Sequence, residues 1–386
     1  MIASFIHILT KYALIALLYP LRLFPMRKNR ILMLSDLNGK YADNPKYLAR
    51  WLLNNRPGKY ELIFALKDPA EKTPEGVKNV KTGSFRYYFY ALTAGTFVTN
   101  SGGISYLPFR KKQIVINTWH GGGAYKKFNL DFFGRTETSL KNARLNEKKT
   151  TLMLASCLAS DAIYESAMLI PAEKMLHSGS PRNDIFFEGE AVREKVREKL
   201  GLGEKKLCLY APTFRRSSKS VFSGAESALY AVDAEKTLQA LKNRFGGEWV
   251  FGFRYHPKIT ERRKVFDEAV VDFSDYGDMQ ELLLAADVLI NDYSSSMWDF
   301  ALTGKPCFLF CEDIEDYRNK EDFYTPIEAW PFPLAEDMEG LIGAIGGFEE
   351  DGYRKAVRAH YAALGSFETG HASETVCREI EKRLGI

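Results

Sequence analysis

The chain has 386 residues, 46% of them hydrophobic and 26% charged, which is an ordinary globular balance with room for two separate cores. Its formal net charge of +4 is too small to argue for a nucleic-acid partner, and it has no low-complexity tract. The five cysteines (Cys157, Cys208, Cys307, Cys311 and Cys377) are odd in number and lack metal-ligand spacing, so they read as core residues of a protein in a reducing compartment.

Residues 1–26, MIASFIHILTKYALIALLYPLRLFPM, are strongly apolar and run into Arg27, Lys28 and Arg30. No small-residue cleavage site follows, which argues against a signal peptide. Lys11 divides the stretch into two uncharged runs of about ten residues, whereas a spanning helix needs roughly twenty. Pro20 and Pro25 interrupt it further. Ser4, His7 and Lys11 fall on one helical face. The pattern favours a helix lying in the membrane interface over a spanning helix or one docked on the protein. Residues 1–28 are therefore read as a membrane-associating leader on a peripheral protein at the cytoplasmic face of the cell membrane.

Alternating strands and helices follow. Strands are predicted at 31–35, 60–66, 96–99, 114–116 and 152–155. Helices are predicted from Asn44-Pro45 through Trp51-Leu52-Leu53, with Asn44 as N-cap, and at 85–92 and 160–169. Residues 188–205, EGEAVREKVREKLGLGEK, read as a charged surface helix and linker. A second alternating series has strands at 207–210, 249–254, 270–273, 288–291 and 306–310, with helices at 234–245, 278–285 and 296–302. The βαβα order implies parallel sheets with helices on both faces. The expected fold is α/β, with two Rossmann-like domains (29–190 and 206–370) facing a central cleft. A last helix in 371–386 is placed to cross back to the first domain.

Ligands of such sheets sit beyond the carboxyl ends of the strands, and those ends carry the chemistry here. Ile114-Val115-Ile116 delivers Asn117-Thr118-Trp119-His120, then Gly121-Gly122-Gly123 and the cations Lys126 and Lys127. A histidine at a strand end beside a glycine turn and cations suits proton transfer next to an anion. In the second half, Thr213 and Arg215 follow one strand and Arg254 and His256 another. Asp292, Ser294 and Ser295 follow a third. Arginine forks, serine hydroxyls and helix N-termini are phosphate ligands. There is no GxGxxG, no Walker A loop and no metal-ligand histidine spacing, which fits a metal-independent diphosphate site.

Trp119-His120-Gly121, Gly179-Ser180-Pro181-Arg182-Asn183-Asp184, Ala211-Pro212-Thr213-Phe214-Arg215, His256-Pro257 and Asp292-Tyr293-Ser294-Ser295 occur in one order along the chain. With Asp43-Asn44-Pro45, Asp299-Phe300, Lys305-Pro306 and the segment from Gly370 to Glu374, this ordered set resembles the CDP-glycerol glycerophosphotransferases, the family of teichoic acid primases and polymerases. The resemblance spans roughly residues 30–380 and implies a GT-B-like fold, a membrane-surface location, and transfer of glycerol phosphate from CDP-glycerol to a hydroxyl acceptor. Carried over by position, His120 resembles the family's catalytic base, while His256 and the loop from Asp292 to Ser295 resemble its nucleotide-diphosphate site. Two departures bear on substrate identity. This chain has Gly122 where the family usually has threonine, and Trp330-Pro331-Phe332-Pro333 where many members carry Pro-Gly-Pro.

The expected reaction is in-line attack of an acceptor hydroxyl on the β-phosphorus of a CDP-alcohol, with CMP leaving. His120 takes the hydroxyl proton, and His256 is the second catalytic histidine. Gly121, Arg182, Thr213, Arg215, Arg254, Asp292, Ser294 and Ser295 are expected to bind substrate. The expected partners are CDP-glycerol or a related CDP-alcohol, a lipid-linked saccharide or polyol-phosphate acceptor, and an anionic membrane surface. No nucleic acid is expected, and no cofactor beyond a magnesium ion loosely carried with the nucleotide. A nucleotide-sugar glycosyltransferase of the same architecture and a CDP-ribitol-dependent ribitol-phosphate transferase are the alternative readings.

Overall fold

A computed structural model describes the chain except for Met1 and residues 36–38, 123–124, 214–231, 257–269 and 321. For residues 2–9 and Lys320 only the backbone is described. The chain divides into two compact units. Unit 1 comprises Met1–His120, Lys127–Asp184 and Ser366–Ile386; unit 2 comprises Gly121–Lys126 and Ile185–Gly365.

Among the described residues, unit 1 is built on a seven-stranded parallel sheet of order β3-β2-β1-β4-β5-β6-β7. The strands are β1 (Arg27–Leu34), β2 (Glu61–Leu66), β3 (Val77–Lys81), β4 (Ala94–Thr99), β5 (Ile114–Asn117), β6 (Leu152–Ala155) and β7 (Met175–His177). Side chains alternate across a pleated strand, so the continuous apolar run Ile31–Leu34 feeds two cores. Ile31 and Met33 pack with Phe64, Ile116 and Leu154 beneath Leu48 and Leu52 of the helix Asp43–Asn55. Leu32 and Leu34 pack with Ile63, Phe97 and Val115 beneath Tyr87 and Leu92 of the helix Phe85–Thr93. The last helix, Ala372–Leu384, puts Val376, Ile380 and Leu384 into the first of these cores.

Unit 2 carries, among the described residues, a six-stranded sheet of order β10-β9-β8-β11-β12-β13, again parallel throughout. Its strands are β8 (Lys206–Tyr210), β9 (Trp249–Phe253), β10 (Val270–Asp272), β11 (Val288–Asn291), β12 (Cys307–Phe310) and β13 (Leu334–Ala335). In both sheets the strand order reverses direction at one place, between β1 and β4 and between β8 and β11. Crevices at such reversals are where ligands of open α/β sheets bind.

Several local expectations change. No helix among the described residues is long and apolar enough to cross a membrane, and the first, Ile2–Leu18, has 17 residues. Its end docks on the protein: Leu18 and Leu21 are buried in the second core of unit 1, and Lys11 Nζ donates to Asn142 Oδ1 at 2.8 Å. The side chains of Ser4 and His7 lie outside the described residues. Asn44 is not an N-cap. The helix begins one residue earlier, behind Ala42, and the Asn44 side chain is used elsewhere. The charged stretch at 188–205 is more than a surface linker, because the helix Glu190–Lys199 turns Arg193 and Arg197 inward onto Asp287 at 2.7 and 3.2 Å.

β3, β7 and the helix Glu137–Lys149 are additions to the predicted elements. β3 and β7 are edge strands with little burial, and that helix buries none of its residues, so none of the three carries an apolar signal.

Candidate active site

In unit 1 the polar residues gather where β1, β4, β5 and β7 end. β5 ends in Asn117, and Asn117 Oδ1 accepts the N–H of Trp119 at 2.9 Å, bending the chain sharply out of the sheet. Trp119 is held at φ 53°, a left-handed conformation rare for a bulky side chain. That turn presents His120, whose ring lies 4.2 Å from the Trp119 ring, centroid to centroid, and Trp119 in turn lies 4.8 Å from Phe128. His120 Nδ1 sits 2.8 Å from the backbone carbonyl of Asn100, the residue immediately after β4. A carbonyl can only accept, so Nδ1 carries the hydrogen and Nε2 of the neutral ring keeps its lone pair.

Arg182, 6% exposed, reaches this turn from beyond β7. Its Nη1 donates to the carbonyl of His120 at 2.7 Å and to Asp43 Oδ1 at 2.9 Å. The backbone N–H of Arg182 donates to Asn44 Oδ1 at 3.0 Å, while Asn44 Nδ2 donates to the carbonyl of Trp119 at 3.1 Å. Asp43 is the second left-handed residue here, at φ 60°. Its Oδ2 accepts from Asn100 Nδ2 at 2.6 Å.

Arg182, expected from the sequence to bind substrate, therefore lies beside His120. Asp43, Asn44 and Asn100 belong to the same network but are absent from the predicted site. The signal for Asn100 was its place at the end of a buried strand, and the signal for the other two was Asp43-Asn44-Pro45.

The rest of the 179–184 motif has a different task. Ser180 N–H and Asn183 Nδ2 donate to the Glu368 carboxylate at 3.2 and 3.1 Å. Gly179, at φ 79°, lies so close to Phe367 that a Cβ there would meet its carbonyl oxygen at 2.8 Å. These residues hold the returning chain within unit 1.

In unit 2 the three predicted strand ends are neighbours in the sheet, at β9, β8 and β11. Asp292, 1% exposed, accepts the Thr213 N–H at 2.9 Å and the Thr213 hydroxyl at 2.6 Å, along with the N–H of Tyr293 at 2.5 Å. Its carboxylate thus ties two strand ends together, which suits an organiser of Thr213 better than a ligand of an anion. Arg254, also buried, donates from Nη1 to the carbonyl of Tyr276 at 2.9 Å. His256 is half-buried just beyond it. The Ser294 and Ser296 hydroxyls are 3.0 Å apart, and Ser295 precedes the short helix Ser296–Ala301 without making a side-chain cap. Arg215, Gly123 and Pro257 lie outside the described residues.

Gly121 opens the segment Gly121–Lys126, which packs within unit 2. Tyr125 anchors it there, stacked on Trp298 with centroids 3.5 Å apart and its hydroxyl 3.0 Å from His360 Nε2. Burial lowers the pKa of His360 below the ordinary histidine range. A Cβ at Gly122 would lie 3.7 Å from Asp299 Oδ1 and 3.8 Å from Trp298 Cβ, ordinary contact distances, so the backbone there has room for a Cβ. Lys126 Nζ lies over the Tyr317 ring, 5.2 Å from its centroid.

Comparison with known proteins follows the same lines. Residues 17–382 match the family model for CDP-Glycerol:Poly(glycerophosphate) glycerophosphotransferase. A teichoic acid poly(glycerol phosphate) polymerase of Bacillus spizizenii is 30% identical over 372 residues, covering 92% of each chain. A teichoic acid glycerol-phosphate transferase of Staphylococcus aureus is 27% identical over 372 residues, 92% of this chain and 93% of that one. A teichoic acid poly(ribitol-phosphate) polymerase of Bacillus spizizenii is 30% identical over 337 residues; the match takes in 84% of this chain but 52% of that longer protein. Among solved structures, the wall teichoic acid polymerase TagF superposes with a TM-score of 0.81 at 26% identity, covering 100% of this chain and 98% of that one.

Proposed function

The chain belongs to the CDP-glycerol:poly(glycerophosphate) glycerophosphotransferase family, and on that premise we propose that it moves glycerol phosphate from CDP-glycerol to a hydroxyl of a membrane-linked acceptor, releasing CMP. The observation that carries the reading is the bond from His120 Nδ1–H to the carbonyl of Asn100, which makes Nε2 the basic nitrogen of the neutral ring, at a strand end. The acceptor hydroxyl oxygen bonds to the β-phosphorus of the donor, and its proton passes to Nε2. The bond from that phosphorus to the bridging oxygen breaks, and CMP leaves with the electron pair. Transition-state charge in such transfers spreads over phosphoryl oxygens, where positioned donors act most strongly.

Unit 1 in this reading serves the acceptor. The strand ends of unit 2 serve the CDP-alcohol, with Thr213, Arg254, His256, Ser294 and Ser295 as donors and Asp292 as the residue that positions Thr213. Attachment to an anionic membrane surface through the N-terminal region is supported by side chains that gain nothing from water. Leu17, Leu23 and Phe24 are 76, 87 and 50% exposed, and Phe85 of unit 1 is 72% exposed. Arg22, Arg27 and Lys28 lie among them in sequence.

The test is a donor panel with the purified protein and a lipid-linked disaccharide acceptor. CMP release with CDP-glycerol supports the proposal, and UDP release from UDP-sugars with no CMP from either CDP-alcohol would overturn it. The likeness to a ribitol-phosphate polymerase favours one second reading, a CDP-ribitol donor, and the same panel separates the two.

A further inference from the structure

We propose that Asp43 is a positioning residue for His120, acting through Arg182 and Asn100; this rests on His120 being the base in the reaction above. One carboxylate serves both ends of the histidine. Asp43 Oδ1 accepts from Arg182 Nη1 at 2.9 Å, and the same Nη1 donates to the His120 carbonyl at 2.7 Å. Asp43 Oδ2 accepts from the side chain of Asn100 at 2.6 Å, and the Asn100 backbone carbonyl holds His120 Nδ1 at 2.8 Å. The first branch fixes the backbone of His120. The second fixes its ring and its tautomer.

The arrangement is held against local preference. Asp43 at φ 60° and Trp119 at φ 53° are both left-handed non-glycine residues, and they flank the same few hydrogen bonds. Such conformations are unfavourable for non-glycine residues and persist where surrounding contacts over-determine them. Here those contacts are named: Asn44 N–H on Asp43 Oδ1 at 2.8 Å, Asn44 Nδ2 on the Trp119 carbonyl, and Trp119 N–H on Asn117. The Asp43–Arg182 pair is nearly dry, with side chains 13% and 8% exposed, so its charges are weakly screened. The geometry also gives Arg182 a role other than gripping substrate phosphate, since its Nη1 is committed to Asp43 and His120.

Asp43→Asn keeps the shape of the side chain and removes its charge. Orientation lost at a supporting residue of this kind costs roughly 10- to 100-fold in activity, and the loss is expected in kcat rather than in KM for CDP-glycerol. The pH profile supplies a reading that a merely structural residue would not move. With the carboxylate neutralised, the Arg182 charge beside His120 is uncompensated, the imidazolium is disfavoured, and the acid limb of kcat/KM shifts to lower pH.

The decisive experiment measures CMP release for Asp43→Asn, His120→Ala and the double variant across pH, with thermal melts alongside. The expected result is a double variant no slower than His120→Ala alone, since Asp43 acts through the histidine. A double variant slower by the full factor of Asp43→Asn would overturn the proposal, as would an unmoved acid limb. Wild-type turnover by His120→Ala would instead show that the base itself is misassigned. If Asp43→Asn does not fold, Asn100→Ala, which keeps the carbonyl but drops the bond to Asp43, is read by the double-variant criterion alone, because it leaves the carboxylate charge in place.

Discussion

Asp184 accepts the backbone N–H of Ser373 at 2.9 Å, and its other oxygen accepts that of Ala372 at the same distance. The final residue of the 179–184 motif therefore caps the helix that returns to unit 1 at the end of the chain. A carboxylate at a helix N-terminus satisfies free N–H groups and meets the positive end of the helix dipole. Burial pushes the Asp184 pKa above the ordinary carboxylate range, and the two N–H bonds oppose that rise. Asp184→Ala leaves both N–H groups buried without this acceptor and should cost about 1–3 kcal/mol. Calorimetric unfolding checks it; an unchanged melting temperature would show that the cap contributes nothing.

Glu381 gives the same helix a pH-dependent attachment. Its Oε1 accepts from Arg56 Nε at 3.0 Å, Lys59 Nζ at 2.7 Å and the Tyr60 hydroxyl at 3.3 Å. Arg56 above all holds the Glu381 carboxyl down to about 2, from an ordinary 4.5. A depressed folded-state pKa means stability that is fully present above pH 4.5 and lost as the pH falls toward 2. Wild type should therefore melt above Glu381→Gln at neutral pH, and the two should converge between pH 4.5 and 2. Parallel curves through that window would refute the attachment.

His120→Ala should lower CMP release by roughly 10²- to 10⁴-fold, the usual contribution of a general base. Titration calorimetry should find CDP-glycerol binding nearly intact, because the donor-side residues lie in unit 2. Weakened binding in proportion to the lost rate would move His120 from proton transfer to donor recognition.

Leu17→Asp with Leu23→Asp alters two side chains that are mostly in water already, so the fold should be kept. The pair should abolish cosedimentation with vesicles containing anionic lipid while leaving donor binding unchanged. Cosedimentation at the wild-type level would place attachment elsewhere, with the basic residues Arg110, Lys111 and Lys112 as the next to test.

Much of the framework was readable from local pattern. β5, β6, β8 and β11 are short, wholly or almost wholly buried strands, each a run of apolar residues bounded by turn signals, and the predicted positions differ from the observed ones by a residue or so. The helix Ala234–Phe245 follows the expected bounds because Asp233 caps it in sequence and in space, accepting from the Lys236 N–H. The edge strands β3 and β7 and the unburied helix Glu137–Lys149 are not legible in the sequence, since their apolar content is too low to set a period. Asn44 was misread for a related reason. Its position before proline is that of a cap, but Arg182 and Trp119, far away in sequence, compete for its side chain.

The sequence by itself determined the architecture of two parallel-sheet α/β units and the family, because each depends on residue types in a fixed order along the chain. Only the tertiary structure decided which polar residues serve His120. Asn100 lies 20 residues from it, Arg182 62 residues, and Asp43 139 residues from Arg182. No local period or motif spacing encodes those distances. They close because β1, β4, β5 and β7 end at one edge of a single parallel sheet, where the largely desolvated Asp43 carboxylate is held by its donors.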